Sequence, residues 1–183
     1  MYVEANLGKA SSHWNASGLT AAMQNNAQEM TVTHLDDERG TQELLFGYRF
    51  IPMLAVEVGY RDWGEISYAL EGVASDPQQV LTATQNYYPA SGKGAFLGLR
   101  ASYWHGENLE GYAKVSAWDW TGDYTTFINN EAHSFETGDT DIVVSVGMSG
   151  YFFERYSAGV VYQTTQLEGQ RNTMVGVSLG VRF

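Results

Sequence analysis

The sequence predicts an all-β fold, an eight-stranded antiparallel up-and-down transmembrane β-barrel. Three observations predict it. The last ten residues alternate without a break, with Val175, Val177, Leu179, Val181 and Phe183 on one side and Met174, Gly176, Ser178, Gly180 and Arg182 on the other. Successive side chains of a strand point to opposite faces, so this is a ribbon with one apolar face and one small, mostly polar face. The same alternation recurs in seven earlier segments. The connections between segments are alternately short and long, so tight turns gather on one rim and long loops on the other.

Taken in order, the first segment is Tyr2 to Lys9, with Val3, Ala5 and Leu7 outward and Glu4, Asn6 and Gly8 opposite. The second, Thr41 to Phe50, shows Leu44, Phe46, Tyr48 and Phe50; Pro52 then marks a tight turn, because it fixes φ and donates nothing to a ladder. The third, Met53 to Trp63, sets Leu54, Val56, Val58 and Tyr60 against Ala55, Glu57, Gly59 and Arg61. The fourth, Gly94 to Tyr103, sets Ala95, Leu97, Leu99, Ala101 and Tyr103 against Phe96, Gly98, Arg100 and Ser102. After the turn His105-Gly106-Glu107-Asn108, the fifth runs from Leu109 to Trp120, with Ala113, Val115 and Ala117 opposed to Glu110, Tyr112, Lys114, Ser116 and Trp118. The sixth, Thr140 to Tyr151, carries Ile142, Val144, Val146 and Met148 outward. The seventh, Arg155 to Leu167, carries Tyr156, Ala158, Val160 and Tyr162, and the closing strand is the eighth.

The connections after segments one, three and five are long, covering 10–40, 66–93 and 121–139. Those after two, four and six are tight turns, and that after seven, near Glu168-Gly169, is short. An even strand number brings both termini to the tight-turn side. Within the 183 residues there is no cysteine, which excludes disulfides and thiolate metal or redox sites. A net charge of −11 argues against nucleic-acid binding. No run of eighteen apolar residues exists for a transmembrane helix, a test to which barrel strands of about 9–11 residues are invisible. The start Met1-Tyr2-Val3 leads straight into a strand, so a mature chain with its signal peptide removed is expected, forming one barrel domain over residues 1–183.

Alternation alone does not separate a membrane barrel from a soluble lipocalin-like one, since the two are inside-out versions of each other. The less apolar face decides. It holds mostly Gly, Ser and Asn with scattered charges of both signs: Glu4, Glu43, Arg49, Glu57, Arg61, Arg100, Glu110, Lys114 and Arg182. That suits a narrow lumen in which opposite charges pair, and not a solvated exterior dense in Lys and Glu. The other face is nearly free of charge at its centre, as lipid demands. Phe50, Tyr103, Tyr156 and Phe183 on the turn side, with Tyr60 and Tyr162 nearer the loops, are placed to form two interfacial aromatic girdles.

The stretch Gly47-Tyr48-Arg49-Phe50-Ile51-Pro52-Met53-Leu54-Ala55-Val56-Glu57-Val58-Gly59-Tyr60 resembles the second hairpin of the outer-membrane protein A-like transmembrane domain. So do Ala5-Asn6-Leu7-Gly8, Leu109 to Val115, and the ending Val177 to Phe183. The resemblance covers all eight strands and not the loops. It implies a bacterial outer-membrane location and a lumen plugged by charge pairs, with Glu57, Arg100 and Lys114 at matching positions. The family's second acid–base pair falls here on Ser149 and Gly159, which implies a wider or wetter lumen. Val177, Leu179, Val181 and Phe183 resemble the C-terminal signal read by the barrel-assembly machinery. The peptidoglycan-binding domain that often follows such barrels is not expected.

The candidate lumen network is therefore Glu57, Arg100, Lys114, Arg61 and Glu110, read first as a structural plug, because buried charge must be paired. No catalytic residue, metal site or cofactor is expected. His13, His34, His105 and His133 are read as loop or turn residues without metal-ligand spacing. A lipid-modifying hydrolase would need Ser and His on neighbouring strands near the outer rim. His133 and Ser134 lie near a rim, but no strand body is read as carrying a His. Asp36-Asp37-Glu38, Glu131, Glu136 and Asp139 could bind divalent cations beside lipopolysaccharide, and a solvated acidic surface is the plainer reading. Residues 21–30 are expected to form a short helical turn, and Asn15-Ala16-Ser17 is an idle sequon. The expected role is a structural or surface protein presenting loops 10–40, 66–93 and 121–139 to ligands, with lipid, lipopolysaccharide and the assembly machinery as partners. A narrow ion or small-solute channel is the alternative.

Overall fold

The computed structural model of the chain describes residues 1–12, 20–21, 29–36, 38–64, 67–73, 92–128, 131–167 and 170–183. Ten strands run through them. These are β1 (Tyr2–Ser12), β2 (Glu29–Asp36), β3 (Glu38–Ile51), β4 (Leu54–Asp62), β5 (Ser67–Val73), β6 (Lys93–His105), β7 (Leu109–Ile128), β8 (Glu131–Phe152), β9 (Tyr156–Leu167) and β10 (Gln170–Arg182). Eight of them close a barrel in the order β1-β10-β9-β8-β7-β6-β4-β3, every neighbour antiparallel. Closure removes every sheet edge from the hydrocarbon, where an unpaired backbone group has no water to turn to. The turn-side rim brings the ends of the chain together: the Phe183 amide donates to the Met1 carbonyl at 3.0 Å.

Facing follows the alternation. Leu44, Phe46, Leu97, Leu99, Val177 and Leu179 lie exposed on the outer wall, and Glu43, Leu45, Phe96, Arg100 and Ser178 lie buried inside. The strands that carry an acid or a small residue at every second place fold this way because the pleat puts all of those on the lumen side. Pro52 and Met53 make the β3–β4 turn, closed by the Ile51↔Leu54 pair after a register shift at Phe50.

Two features of the loops differ from the sequence reading. First, 121–139 is not a long loop. β7 and β8 stay paired from Thr121↔Gly138 to Ile128↔Glu131, so the connection is a two-stranded ribbon continuing beyond the rim. Tyr124, Thr125, Thr126, Phe127 and Ile128 are strong strand formers, and they extend the ladder past the point where lipid-facing alternation ends. Secondly, β2 and β5, from the first and second long connections, pair antiparallel as a separate small sheet. Of the stretch 21–30, Ala21 is helical, Glu29 and Met30 belong to β2 and not to a helical turn, and residues 22–28 lie outside the described residues.

Candidate functional site

The lumen is built from one inward side chain in every two, and eight of the charged ones meet in a continuous chain. Glu43 of β3 takes Arg61 of β4 at 2.5 Å and Lys114 of β7 at 3.0 Å. Lys114 reaches on to Glu57 at 3.2 Å, and Glu57 meets Arg100 of β6 at 3.3 Å. Arg100 also takes Glu4 of β1 at 3.0 Å and Glu110 at 3.2 Å, and Glu110 takes Arg49 at 2.8 Å. Glu57 and Arg61 are wholly buried, and Arg100 nearly so.

Neutral partners fill the remaining lone pairs. Asn6 and Gln163 donate to Glu43 at 2.8 and 3.2 Å, Tyr151 donates to Glu110 at 2.5 Å, and the Tyr2 hydroxyl donates to Glu57. The Arg100 guanidinium lies 3.6 Å from the centre of the Tyr112 ring, and that of Arg61 4.5 Å from Phe96. Ion pairing, hydrogen bonding and aromatic faces together make such burial tolerable.

All five residues singled out for the lumen from sequence, Glu57, Arg61, Arg100, Glu110 and Lys114, therefore sit in one network. Glu4, Glu43 and Arg49, recognised only as inward charges, complete it. The positions where a second family pair would stand are tightly packed, not open. A methyl carbon on Gly159 would come within 2.2 Å of the Met148 carbonyl oxygen and 2.6 Å of the Ser149 hydroxyl, and one on Gly147 within 2.4 Å of the Tyr112 ring. Beside them the Ser149 hydroxyl is buried without a protein hydrogen-bond partner.

Towards the loop rim lies a second layer that the sequence reading did not single out. Trp63, Trp118 and Trp120 are buried, with ring centres 5.7 Å apart for the first pair and 6.1 Å for the second. Trp118 donates to the Gly94 carbonyl at 3.3 Å and Trp120 to Asp141 at 2.8 Å. Their signal was present: Trp118 and Trp120 continue the inward parity of Tyr112, Lys114 and Ser116.

Three of the histidines lie in strands and not in loops or turns. His34 lies within β2, His105 ends β6 and His133 lies within β8, paired with Thr126, because the ladders run beyond the lipid belt. His13, the sequon and Asp37 fall outside the described residues. Of the acidic loop residues, Glu38 pairs with Lys9 at 3.1 Å, while Glu136 and Asp139 are exposed. Val177, Leu179 and Phe183 are exposed and Val181 half-buried, on the face that looks into lipid.

The model of the OmpA-like transmembrane domain matches residues 1–173. The chain belongs to that family. It is accordingly a bacterial outer-membrane barrel, with the short turns periplasmic and the long connections outside. No curated protein matches the sequence. Among solved structures, the OmpA-like barrel is similar to Neisserial surface protein A (TM-score 0.57, 12% identity, covering 100% of this chain and 96% of that one). It is also similar to the N-terminal β-barrel domain of Pseudomonas aeruginosa OprF (0.55, 12%, 100% and 96%). A third is Ail, the attachment invasion locus protein of Yersinia pestis, solved with the heparin analogue sucrose octasulfate (0.50, 12%, 100% and 98%). At these identities the likeness is one of fold.

Proposed function

We propose that this OmpA-like barrel is a non-enzymatic structural protein of the outer membrane that uses its β7–β8 ribbon as a surface contact. The observation that supports this reading is the division of the molecule. Its lumen is occupied by its own side chains, and its longest paired strands stand outside the lipid belt. Specificity in such a barrel falls to what projects from it. From Asp119 to Asp141 the ribbon carries Asp119, Asp123, Glu131, Glu136, Asp139 and Asp141 and no Lys or Arg. A polyanion such as the heparin analogue seen with Ail would be repelled, so the fitting partner is cationic, a basic protein surface or peptide.

The test is binding of the refolded barrel, in detergent or nanodiscs, to a basic peptide library, with a variant lacking residues 123–136. Salt-sensitive binding that disappears with the ribbon is expected. Equal binding by both forms would end the surface reading.

A narrow channel is the second reading, and one observation favours it. The hydroxyls of Ser145 and Ser149 and the Gln163 carbonyl oxygen are buried with no protein hydrogen-bond partner. Such groups call for water within the lumen. Discrete conductance steps in planar bilayers would support a channel; a silent, folded preparation would remove it.

A further inference from the structure

Four inward acids and four inward bases form one network, and Arg182 stands outside it. Glu4, Glu43, Glu57 and Glu110 are each ion-paired to Arg49, Arg61, Arg100 or Lys114. Arg182, at the periplasmic end of β10, has no carboxylate within ion-pairing distance among the described residues. Its guanidinium lies between two rings, 4.9 Å from the centre of Trp104 and 4.2 Å from that of Tyr151, whose hydroxyl it hydrogen-bonds, and one terminal nitrogen is buried without a hydrogen-bond partner. A half-buried cation without a counter-charge is unfavourable, and aromatic faces offset only part of that.

A cleft of about 590 Å³ opens at the periplasmic mouth, lined by Arg182, Arg49 and Trp104 and continuing along Ile51, Phe50 and Phe183. Those last three are 48%, 49% and 76% exposed and belong to the lipid-facing belt. The cleft therefore crosses the rim, with cations at its inner end and an apolar wall at its lipid end. A free inorganic anion would use only half of that surface; an amphiphile uses all of it.

We propose that this cleft binds a phospholipid of the periplasmic leaflet, its phosphate on Arg182 and its acyl chains against Phe50 and Phe183. A guanidinium offers paired donors matched to phosphate oxygens, and Arg49, already held by Glu110 and the Pro52 carbonyl, adds positive potential without needing to move. Glu107, on the lip of the cleft, supplies an acceptor for a headgroup amine.

The test is native mass spectrometry of the refolded barrel in neutral detergent with a few equivalents of phosphatidylethanolamine. The wild type retains one lipid, and R182Q retains it roughly tenfold less, the scale of a lost charge-assisted hydrogen bond. R155Q is the control: Arg155 is exposed on the same rim, where its carbonyl accepts from the Arg182 amide at 2.7 Å, and this variant retains lipid like the wild type. Equal retention by R182Q and wild type, or equal loss in both variants, would overturn the proposal. Displacement by excess inorganic phosphate would overturn the lipid assignment in favour of a free-anion site. Should R182Q fail to fold, the wild type still decides. Its Trp104 indole resonance, assigned with W104F, shifts on titration with dihexanoyl phosphatidylethanolamine and not with inorganic phosphate; an unmoved resonance counts against the site.

Discussion

Glu43 joins more of the lumen than any other acid, touching Arg61, Lys114, Asn6 and Gln163 from four different strands. Replacing it with glutamine leaves two buried cations short of one negative charge, and removing one partner of a buried pair costs about 3–5 kcal/mol. E43Q should therefore lower the unfolding free energy obtained from a urea titration of the refolded barrel by an amount in that range. A value equal to wild type would show the network to be slack. The residue was legible as an inward charge but not as a hub. The missed signal was register: the two-residue turn at Pro52-Met53 alone would set Glu43 opposite Asp62, and the shift at Phe50 brings Arg61 opposite it instead. Glycines carry a second residue-scale constraint. Gly8 and Gly176 face each other across β1 and β10, and a methyl carbon on Gly176 would lie 2.5 Å from the Leu7 carbonyl oxygen and 3.0 Å from the Gly8 Cα. Both obstacles are backbone, which cannot swing aside, so G176A should destabilise the barrel by about 1–3 kcal/mol, measured in the same urea titration.

At the scale of elements, the eight spanning strands could be read from sequence because lipid on one side and a narrow lumen on the other impose strict period-two alternation. Beyond the rim that constraint vanishes. The outer halves of β7 and β8, and the pair β2 and β5, are strands held by backbone pairing, which does not require polar and apolar residues to alternate. Gly122-Asp123-Tyr124-Thr125-Thr126 shows the consequence: β propensity without a pattern. The same physics predicts independence. The ribbon above Thr121 pairs within itself, and β6 follows β7 only as far as Lys93↔Thr121. Deleting residues 123–136 should leave heat-modifiable gel migration intact and change the unfolding free energy by no more than about 0.5 kcal/mol, as for surface changes away from a core. A large loss of stability would mean that the ribbon braces the barrel.

Over the whole molecule, the lumen is filled by two layers of side chains, in series. The charge network occupies the middle and periplasmic part, where Arg100 is reached by Glu4, Glu57 and Glu110 from three other strands. The tryptophan layer occupies the outer part, where Trp63, Trp118 and Trp120 have almost no exposed surface. Two barriers in series conduct only when both are breached, whereas each contributes separately to stability. W118A should thus behave as a cavity mutation, destabilising by about 3–5 kcal/mol, yet add no conductance in planar bilayers. Combining W118A with E57A, which also releases Arg100 and Lys114 from a shared partner, should produce openings that neither single variant shows. Conductance from W118A alone would mean that the charged layer does not seal the barrel and that the tryptophans are its only gate.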